Sequence, residues 1–348
     1  MSFIELDGDQ VRQLINTEQA YVAFRAAQTQ RDRHRGAMAW KRVGGREYLY
    51  RKVHGSWKSL GPRDAETLLV YDRFREGRAT ARERVASLDE KIRAIAPVNR
   101  AMRLGRVPVA AAKILRRLER RGLLGHGLSV VGTNALFAYE RMAGGHFAGS
   151  ETATDDIDLL FDARKRLRMV SATGEELGLR DVLRSADTSF EMLSPGSFRA
   201  VNAKGFMVDL IKPVPKAASA VEKARIGSDP NDMTAAEIEG LAWLQSSPQI
   251  EQIAIDARGF PVRLSVPDPR AYALHKLWLA ERPDRDPLKR RRDVRQAAAV
   301  TAVVVRYLPQ MRFDDPGLAA LPEKLRARVP ELLAAADELG ANRAYEGW

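Results

Sequence analysis

The sequence contains no cysteine. This excludes disulfide bonds, a thiolate nucleophile and a cysteine-ligated zinc site, and it is compatible with a reducing cytoplasm. Histidine is also scarce, because only five occur in the whole chain, at positions 34, 54, 126, 146 and 275. Their spacing matches no familiar metal-binding pattern. A metal centre built on histidine or cysteine is therefore not predicted.

Long hydrophobic runs are missing as well. The longest one, residues 297–305, is much shorter than the roughly 20 residues that span a bilayer. The first 15 residues lack the basic and apolar regions of a signal peptide. The chain has 348 residues, of which 45% are hydrophobic, so it can form two or three packed units. We expect a soluble cytoplasmic protein that does not contact a membrane.

Acidic residues are fewer than basic ones. There are 57 Lys and Arg against 45 Asp and Glu, which gives a formal net charge of +12. A basic field of this size attracts polyanions such as nucleic acids, nucleoside triphosphates or acidic membrane surfaces. An arginine-rich surface that binds nothing would have the same composition. Charge alone therefore leaves both interpretations open.

A short apolar strand with acids at alternate positions is predicted at residues 156–161, Asp-Ile-Asp-Leu-Leu-Phe. Residues two apart on a strand point to the same face, about 6.6 Å apart. Asp156 and Asp158 should therefore converge on one site, and Asp155, one residue out of phase, should not. Neighbouring carboxylates repel each other and lose hydration unless a cation lies between them. Oxygen ligands favour Mg²⁺ or Mn²⁺, although such a pair also occurs on a solvated strand face.

A second signal lies upstream of these acids. The apolar run 128–131 ends at Gly132, and Thr133 and Asn134 then open an amphipathic helical segment. A turn at a helix N-terminus, with Thr133 as its cap, is suited to bind a phosphate. A phosphate cradle followed by a metal-binding Asp-x-Asp strand indicates nucleotidyl transfer more strongly than either signal alone.

These residues resemble the nucleotidyltransferase superfamily of DNA polymerase β, and more closely a bacterial family of uncharacterised nucleotidyltransferase-fold proteins. Two departures from the superfamily pattern are Thr133, where a second Gly or Ser is usual, and a longer loop before Asp156. The resemblance covers most of the chain and is carried by GAMAWKRVGGREYLYRK (36–52), GTNALFAYE (132–140), ATDDIDLLFDAR (153–164), VDLIKP (208–213), PDPRAYALHKLWLAERPDRDP (267–287) and KRRRDVRQA (289–297).

Asp209 lies within the apolar segment 206–211, inside one of three predicted strands that follow residue 186. An uncompensated carboxylate there would cost several kcal/mol. Delivery to the site of Asp156 and Asp158 would resolve this cost, and a strand-edge position facing water is the alternative. In the pattern of the resembled family, Asp209 is the third catalytic carboxylate, which binds a second metal and helps to deprotonate the acceptor hydroxyl.

Lys276 is expected in the middle of a helix that begins near Pro267 and Pro269. A lysine in these apolar surroundings needs a partner, either a triphosphate or Asp293 of the next helix, unless it reaches the solvent along its stem. By resemblance we assign Lys276 to phosphate binding and Asp293 to its orientation. The arginines at 290–292 are expected to form a solvated or acceptor-binding face.

The N-terminal third is predicted as a helix over residues 7–35, three short β-runs and a long helix from Asp64 that stops at Pro97. The β-runs are rich in aromatic and basic residues, so they either grip nucleic acid or cover a helix. Another helix is expected over residues 107–124, and its arginines 116, 117, 120 and 121 are expected to be solvated. Near the C-terminus we predict an acid-rich helix over residues 235–244 and a strand pair over 252–264.

We therefore predict an α/β (α+β) protein with three parts: a helical region with a β-meander (1–105), a small mixed-sheet nucleotidyltransferase core (106–215) and a mainly helical domain (216–348). Asp156, Asp158 and Asp209 would hold two Mg²⁺ or Mn²⁺ ions and catalyse the transfer of an NMP from an NTP such as ATP. Gly132, Thr133, Asn134 and Lys276 would bind the nucleotide. The basic charge favours RNA as the acceptor, for example a tRNA 3′ end, while a protein or small-molecule hydroxyl stays open. A protein that keeps the fold and binds nucleic acid or a partner without turnover is the alternative, and a glycosyltransferase ranks last.

Overall fold

The computed structural model describes residues 3–53, 55–165, 169–170, 176–215 and 224–341. Helices and several small sheets alternate along the chain, which confirms the predicted α+β class. Within the described residues, no helix is both long and apolar enough to cross a membrane. The predicted domain boundary at 215/216 adjoins residues 216–223, and the predicted C-terminal helices extend past residue 341; both stretches lie outside the described residues.

The N-terminal region is a pair of long helices joined by a meander, as predicted. Asp7 and Asp64 cap the two helices, because the carboxylate of each accepts a hydrogen bond from the backbone three residues later. The elements are β1 (Ile4–Glu5), α1 (Gly8–Arg33), β2 (Ala37–Val43), β3 (Arg46–Val53), β4 (Ser56–Pro62) and α2 (Ala65–Ala101).

The predicted end of the second helix at Pro97 is wrong, since α2 continues to Ala101. Proline removes one hydrogen bond to the preceding turn but does not by itself end a helix. Packing compensates here, because the Asn99 side chain donates a hydrogen bond of 2.8 Å to the carbonyl of Gly259. Asn99 is fully buried, so tertiary contacts hold this last turn in place.

The central region carries the main sheet. Its helix α3 is shorter than the predicted 107–124, because Pro108 sets its start and Gly122, with φ of +69°, lies just beyond its end. The elements are α3 (Val109–Arg120), β5 (Leu128–Val131), α4 (Leu136–Ala143), β6 (Gly145–His146), α5 (Gly149–Thr152), β7 (Asp156–Phe161), β8 (Met169–Val170), β9 (Glu176–Leu177), α6 (Leu179–Ala186), β10 (Glu191–Met192), β11 (Arg199–Val201), β12 (Met207–Pro213) and β13 (Ala236–Ile238).

The main sheet is mixed, as expected, with the order β10-β11-β12-β7-β5 and with β13 added beside β12. Strands β7 and β12 run parallel, whereas β5 is antiparallel to β7 and β11 is antiparallel to β12. β13 pairs with β12 in parallel, so the sheet takes one strand from beyond residue 215. A continuous hydrophobic core joins this sheet to α3, α4 and the C-terminal helices.

The C-terminal region contains the predicted strand pair and the helix that follows it. The acid-rich helix predicted over residues 235–244 is wrong, because β13 occupies its first half. Gly240, with φ of +83°, breaks the segment before α7 begins. The elements are α7 (Leu241–Ser246), β14 (Gln249–Ile255), β15 (Pro261–Pro267), α8 (Pro269–Ala280), α9 (Pro287–Tyr307), a 3₁₀ turn (Pro316–Leu318), α10 (Glu323–Arg326) and α11 (Val329–Ala341).

Candidate active site

Three carboxylates meet at one end of the main sheet. Asp156 and Asp158 project from one face of β7, while Ile157 and Leu159 are fully buried on the other face. Asp209 on β12 is the direct cross-strand neighbour of Asp158 in the parallel register. The strand period and the strand pairing thus bring together the three acids that the sequence singles out. Their catalytic and metal-binding roles stay predictions.

Gly132 packs directly against one of these acids, Asp158. It begins the 3₁₀ turn Gly132–Ala135 with φ of +65°, a conformation that glycine adopts without strain. A Cβ atom at this position would lie 2.1 Å from Oδ2 of Asp158. Only glycine allows the backbone of the turn to approach the carboxylate this closely. The turn and the acidic strand therefore form one site.

The three acids lie close enough together to repel each other, and the effect falls on the pKa of Asp158. The pKa of Asp158 is raised to about 7, first by desolvation and then by the charges of Asp156 and Asp209. Lys276 and Arg199 act in the opposite direction but do not cancel this rise. A carboxyl group that is half protonated near neutral pH lacks a full counter-charge. A divalent cation would supply that charge, and carboxylate oxygens are the kind of donor that Mg²⁺ or Mn²⁺ prefers.

Asp209 already has a partner. Its two oxygens accept hydrogen bonds of 2.7 and 2.6 Å from Nε and Nη2 of Arg199, its cross-strand neighbour on β11. This bidentate pair turns the carboxylate toward the guanidinium. In the described part of the chain, no group of three or more His, Cys, Asp and Glu side chains is arranged to hold a metal ion. Asp209 can join a metal site only after Arg199 releases it.

Thr133 and Asn134 are both buried and tie the turn to its surroundings. The hydroxyl oxygen of Thr133 accepts a hydrogen bond of 3.0 Å from Arg292, and Nδ2 of Asn134 donates one of 2.7 Å to the carbonyl of Asp156. The expectation that Thr133 caps a helix is wrong, because no side chain caps the 3₁₀ turn or α4. Oδ1 of Asn134 is buried and finds no hydrogen-bond partner among the described residues.

Lys276 on α8 is buried, and its ammonium group lies 2.7 Å from the carboxylate of Asp293 on α9. Arg285 contacts the same carboxylate at 2.7 Å. The sequence predicted a triphosphate or Asp293 as the partner of Lys276, and in the structure Lys276 pairs with Asp293. Burial lowers the pKa of Lys276, and the charge of Asp293 counteracts this change. Phosphate binding by Lys276 stays a prediction.

Arg292 is the residue whose place at the site the sequence did not reveal. It donates hydrogen bonds to the hydroxyl of Thr133 and to the carbonyl of Ala153, so it spans the turn and the loop before β7. Gln296, one helical turn later on α9, donates a hydrogen bond of 3.4 Å to the same hydroxyl and one of 2.8 Å to the carbonyl of Glu151. The i, i+4 spacing of Arg292 and Gln296 is the one sequence signal that could have suggested a shared contact.

An open cleft of about 600 Å³ lies beside Asp156. Two arginines, Arg106 and Arg292, stand in its wall together with short polar side chains and a few apolar ones. A cleft of this size can accommodate a small-molecule ligand, and its basic wall suits an anionic one. The further lining residues are Pro108, Phe137, Gly149, Thr152, Ala153, Thr154, Asp155 and Met207.

Comparison with known proteins decides the family. The sequence profile of a family described as "Nucleotidyltransferase" matches residues 110–321, which include the turn, the three acids and the α8–α9 pair. The chain belongs to this nucleotidyltransferase family. No protein of curated function matches the chain. A crystal structure of an antigenic nucleotidyltransferase-like protein from Paracoccidioides brasiliensis is similar to it, with 16% sequence identity, a TM-score of 0.31, and coverage of 66% of this chain and 92% of that one.

Family membership confirms the general activity class predicted from the sequence, nucleotidyl transfer. The bacterial origin and the link to DNA polymerase β stay predictions. The family match begins at residue 110, one residue after the start of α3, and ends at residue 321, just before α10. The N-terminal helices and meander therefore lie outside the matched stretch.

Proposed function

We propose that this nucleotidyltransferase moves an NMP from an NTP to a hydroxyl acceptor in a reaction that depends on Mg²⁺ or Mn²⁺. The observation that carries the proposal is the cluster of Asp156, Asp158 and Asp209 on two neighbouring strands, with Gly132 packed against Asp158. It couples a glycine turn, which suits phosphate, to a cluster of acids with too little counter-charge. A family whose chemistry is nucleotidyl transfer supports the same assignment.

The chain's own residues would divide the work as follows. The Gly132–Thr133–Asn134 backbone would receive the phosphates, and Arg292, which already contacts Thr133, would neutralise part of their charge. Lys276 would help to hold the acids and the phosphates in position relative to each other, because its positive charge is close enough to lower the pKa of Asp158. The cleft with Arg106 would take the remainder of the nucleotide.

In the proposed reaction, an acceptor hydroxyl oxygen attacks the α-phosphorus, the bond to the bridging oxygen of the β-phosphate breaks, and pyrophosphate leaves. Asp209 would take up the hydroxyl proton after its bidentate pair with Arg199 opens. Positioning of the two reactants supplies much of the rate, because it turns a bimolecular step into one within the complex. Asp156 and Asp158, joined by Asp209, would hold the divalent cations, which when bound neutralise charge on the phosphate oxygens.

RNA is the acceptor that we propose, with a tRNA 3′ end as one example. The support is the net charge of +12. A cationic substrate such as an aminoglycoside would call for an acidic surface instead. A protein hydroxyl would fit the same chemistry, so the experiment must separate labelled RNA from labelled protein.

A label-transfer assay tests this function. Wild-type protein and the Asp158→Asn variant are incubated with Mg²⁺, each of the four α-³²P NTPs, and total RNA or cell protein. Because Asp158 is central to the acid cluster, its loss should lower transfer at least about a thousandfold, which corresponds to several kcal/mol of transition-state stabilisation. Asp314→Asn is the matched control, since Asp314 is exposed and lies outside both the acid cluster and the cleft.

Label in RNA with wild type and Asp314→Asn, but not with Asp158→Asn, supports the full proposal. Label in a protein band keeps the enzyme class and replaces the acceptor. Equal transfer by Asp158→Asn and wild type would refute the assigned site. No transfer with any acceptor, combined with no NTP binding, would favour the alternative of a fold that binds nucleic acid or a partner without turnover.

A further inference from the structure

A second basic cavity lies away from the acid cluster, between α1 and α3. It has a volume of about 470 Å³, and we call it the α3 groove. Its cationic wall is formed by Lys113, Arg117 and Arg120 of α3. Tyr21 and Phe24 of α1 form the opposite, aromatic wall. The prediction of a simply solvated basic face on α3 therefore misses a concave surface.

The acid in this groove is already neutralised. Glu119 accepts a hydrogen bond of 2.5 Å from the hydroxyl of Tyr21, and it forms an ion pair of 3.0 Å with Arg25. Arg116, which was expected to be solvated, instead donates to the carboxylate of Asp256 at 2.8 Å and to two backbone carbonyls. Both of these arginines serve the fold and are not free to bind a ligand.

Lys113, Arg117 and Arg120 differ from those two arginines. Within the described residues, none of the three has an acidic group within 4.0 Å, and all three are exposed. Burial and the charges of Arg117, Arg31 and Arg25 lower the pKa of Arg120, and Asp32 only partly offsets this repulsion. Asp32 itself pairs with Arg31 and Arg35. Among the described residues, the groove thus holds three cations without an ion-pair partner, and the carboxylates of Asp187 and Asp32 act on Lys113 and Arg120 only from a longer distance.

The three cations form a row. On a helix, residues 113, 117 and 120 follow one side with steps of about 6 and 4.5 Å along the axis. The N-terminal end of α3 adjoins the cleft beside Asp156, because Arg106 and Pro108 line that cleft, and the row begins at Lys113, five residues after Pro108. Arg31, at the last turn of α1, extends the positive field beyond Arg120. A linear track fits a chain of phosphates better than a single nucleotide.

We propose that the α3 groove binds the phosphate backbone of a single-stranded nucleic acid and leads its end toward the catalytic cleft. Phe24, which is partly exposed in the opposite wall, would stack against a base, as aromatic side chains do in single-strand binding sites. An aromatic side chain can stack on a base only where that base is unpaired and splayed out, so the groove favours a single strand over a duplex. The assignment of this strand as the acceptor rests on the proposed function, whereas the binding itself does not.

Fluorescence anisotropy tests the groove without any turnover. The probes are a fluorescein-labelled 20-nucleotide RNA, a DNA strand of the same sequence, the corresponding duplex and an acidic peptide of equal charge. The groove variant carries Lys113→Ala, Arg117→Ala and Arg120→Ala. The control variant carries Arg306→Ala, Arg312→Ala and Lys324→Ala, three exposed cations of the C-terminal region, so both variants lose the same charge.

The groove variant should bind the single strand at least about tenfold more weakly than wild type. Its slope of log affinity against log salt should shrink by about 2, since each phosphate contact contributes about 0.7 for single strands. The control should stay within about twofold of wild type. An equal loss in both variants, or wild-type binding of the duplex or the peptide as tight as that of the single strand, would overturn the proposal.

The two proposals can fail separately. The Asp158→Asn variant should bind the single strand as well as wild type does, because Asp158 lies outside the groove. If no nucleotidyl transfer is found and the groove variant still loses binding, only the proposed reaction fails. If transfer to RNA is found and the groove variant binds and reacts like wild type, only the groove proposal fails.

Discussion

Two clusters of ionic groups among the described residues, one in the main sheet and one between α8 and α9, are built differently. In the sheet cluster, Asp156, Asp158 and Asp209 share one paired cation, Arg199. In the helix cluster, Asp293 receives both Lys276 and Arg285 at 2.7 Å. The sheet cluster leaves negative charge uncompensated, whereas the helix cluster satisfies its acid twice.

A difference of this kind is expected between a ligand-binding site and a structural ion pair. Ionic groups that serve only the fold are expected to be paired, because an unpaired buried charge costs several kcal/mol. The sheet cluster keeps such a cost, visible as a pKa of about 7 for Asp158. An uncompensated charge of this kind is common where a bound ligand completes the charge balance. The helix cluster, by contrast, positions α8 and α9 behind the acids.

The largest effect on stability is expected in the helix cluster. Asp293→Asn would leave Lys276 buried without its counter-charge, and breaking a buried pair in this way typically costs about 3–5 kcal/mol. Urea denaturation measures the free energy of unfolding. Asp314→Asn is the matched control, because its pair with Arg312 is exposed and should contribute less than about 1 kcal/mol. A loss below 1 kcal/mol for Asp293→Asn would show that the helix cluster does not support the fold.

An Asp→Asn substitution in the sheet cluster should instead increase the stability of the protein, and the size of this increase should depend on pH. The pKa of Asp158 rises from its usual 3.8 to about 7 on folding, so the folded state binds more protons between these values. Its contribution to stability is therefore full below pH 4 and is lost as the pH rises through 7. Asp158→Asn removes this loss, so its melting temperature should increasingly exceed that of wild type from pH 5 to pH 8.

The measurement is a series of thermal melts of wild type and Asp158→Asn in the absence of divalent ions. The difference between the two proteins matters, because other groups titrate in both. Glu140, for example, has its pKa raised to about 6 by burial, despite the hydrogen bonds that it accepts from Arg106. A difference that stays constant from pH 5 to pH 8 would mean that Asp158 carries no unbalanced charge.

Much of this contrast follows from local sequence. The alternation at residues 156–161 fixes which face of β7 carries the acids, and the turn signal at Gly132 fixes where the chain reverses. The sequence narrowed the partner of Lys276 to a triphosphate or Asp293, because a buried ammonium group needs an opposite charge close to it. Prediction worked where a residue's environment depends on its near neighbours in the chain.

Prediction failed where distant segments decide. Arg199 meets Asp209 through the register of β11 and β12, which no local pattern encodes. Arg292 reaches Thr133 across 159 positions of the chain. β13 adopts strand geometry because β12 offers it an open edge, although its sequence favours a helix. In each case tertiary contacts outweigh local preference.

The variant with the smallest expected effect on stability tests the difference between the two clusters most directly. Arg199→Gln removes the one cation paired within the sheet cluster and leaves Asp209 with unpaired charge. Because the Arg199 side chain is 34% exposed, we expect only about 1 kcal/mol of lost stability without divalent ions. The freed carboxylate should then bind a divalent ion more readily, so Mg²⁺ or Mn²⁺ should raise the melting temperature more than in wild type.

Arg93→Gln is the control for this variant, since Arg93 pairs with Asp89 on the exposed surface of α2. Its response to Mg²⁺ should match that of wild type. If Arg199→Gln responds to Mg²⁺ no more than wild type does, Arg199 does not compete with a cation for Asp209, and the paired acid belongs to the supporting structure. If Mg²⁺ stabilises Arg199→Gln more than wild type, Arg199 competes with the cation for Asp209. The sheet cluster is then a metal site whose third carboxylate becomes available when Arg199 moves away.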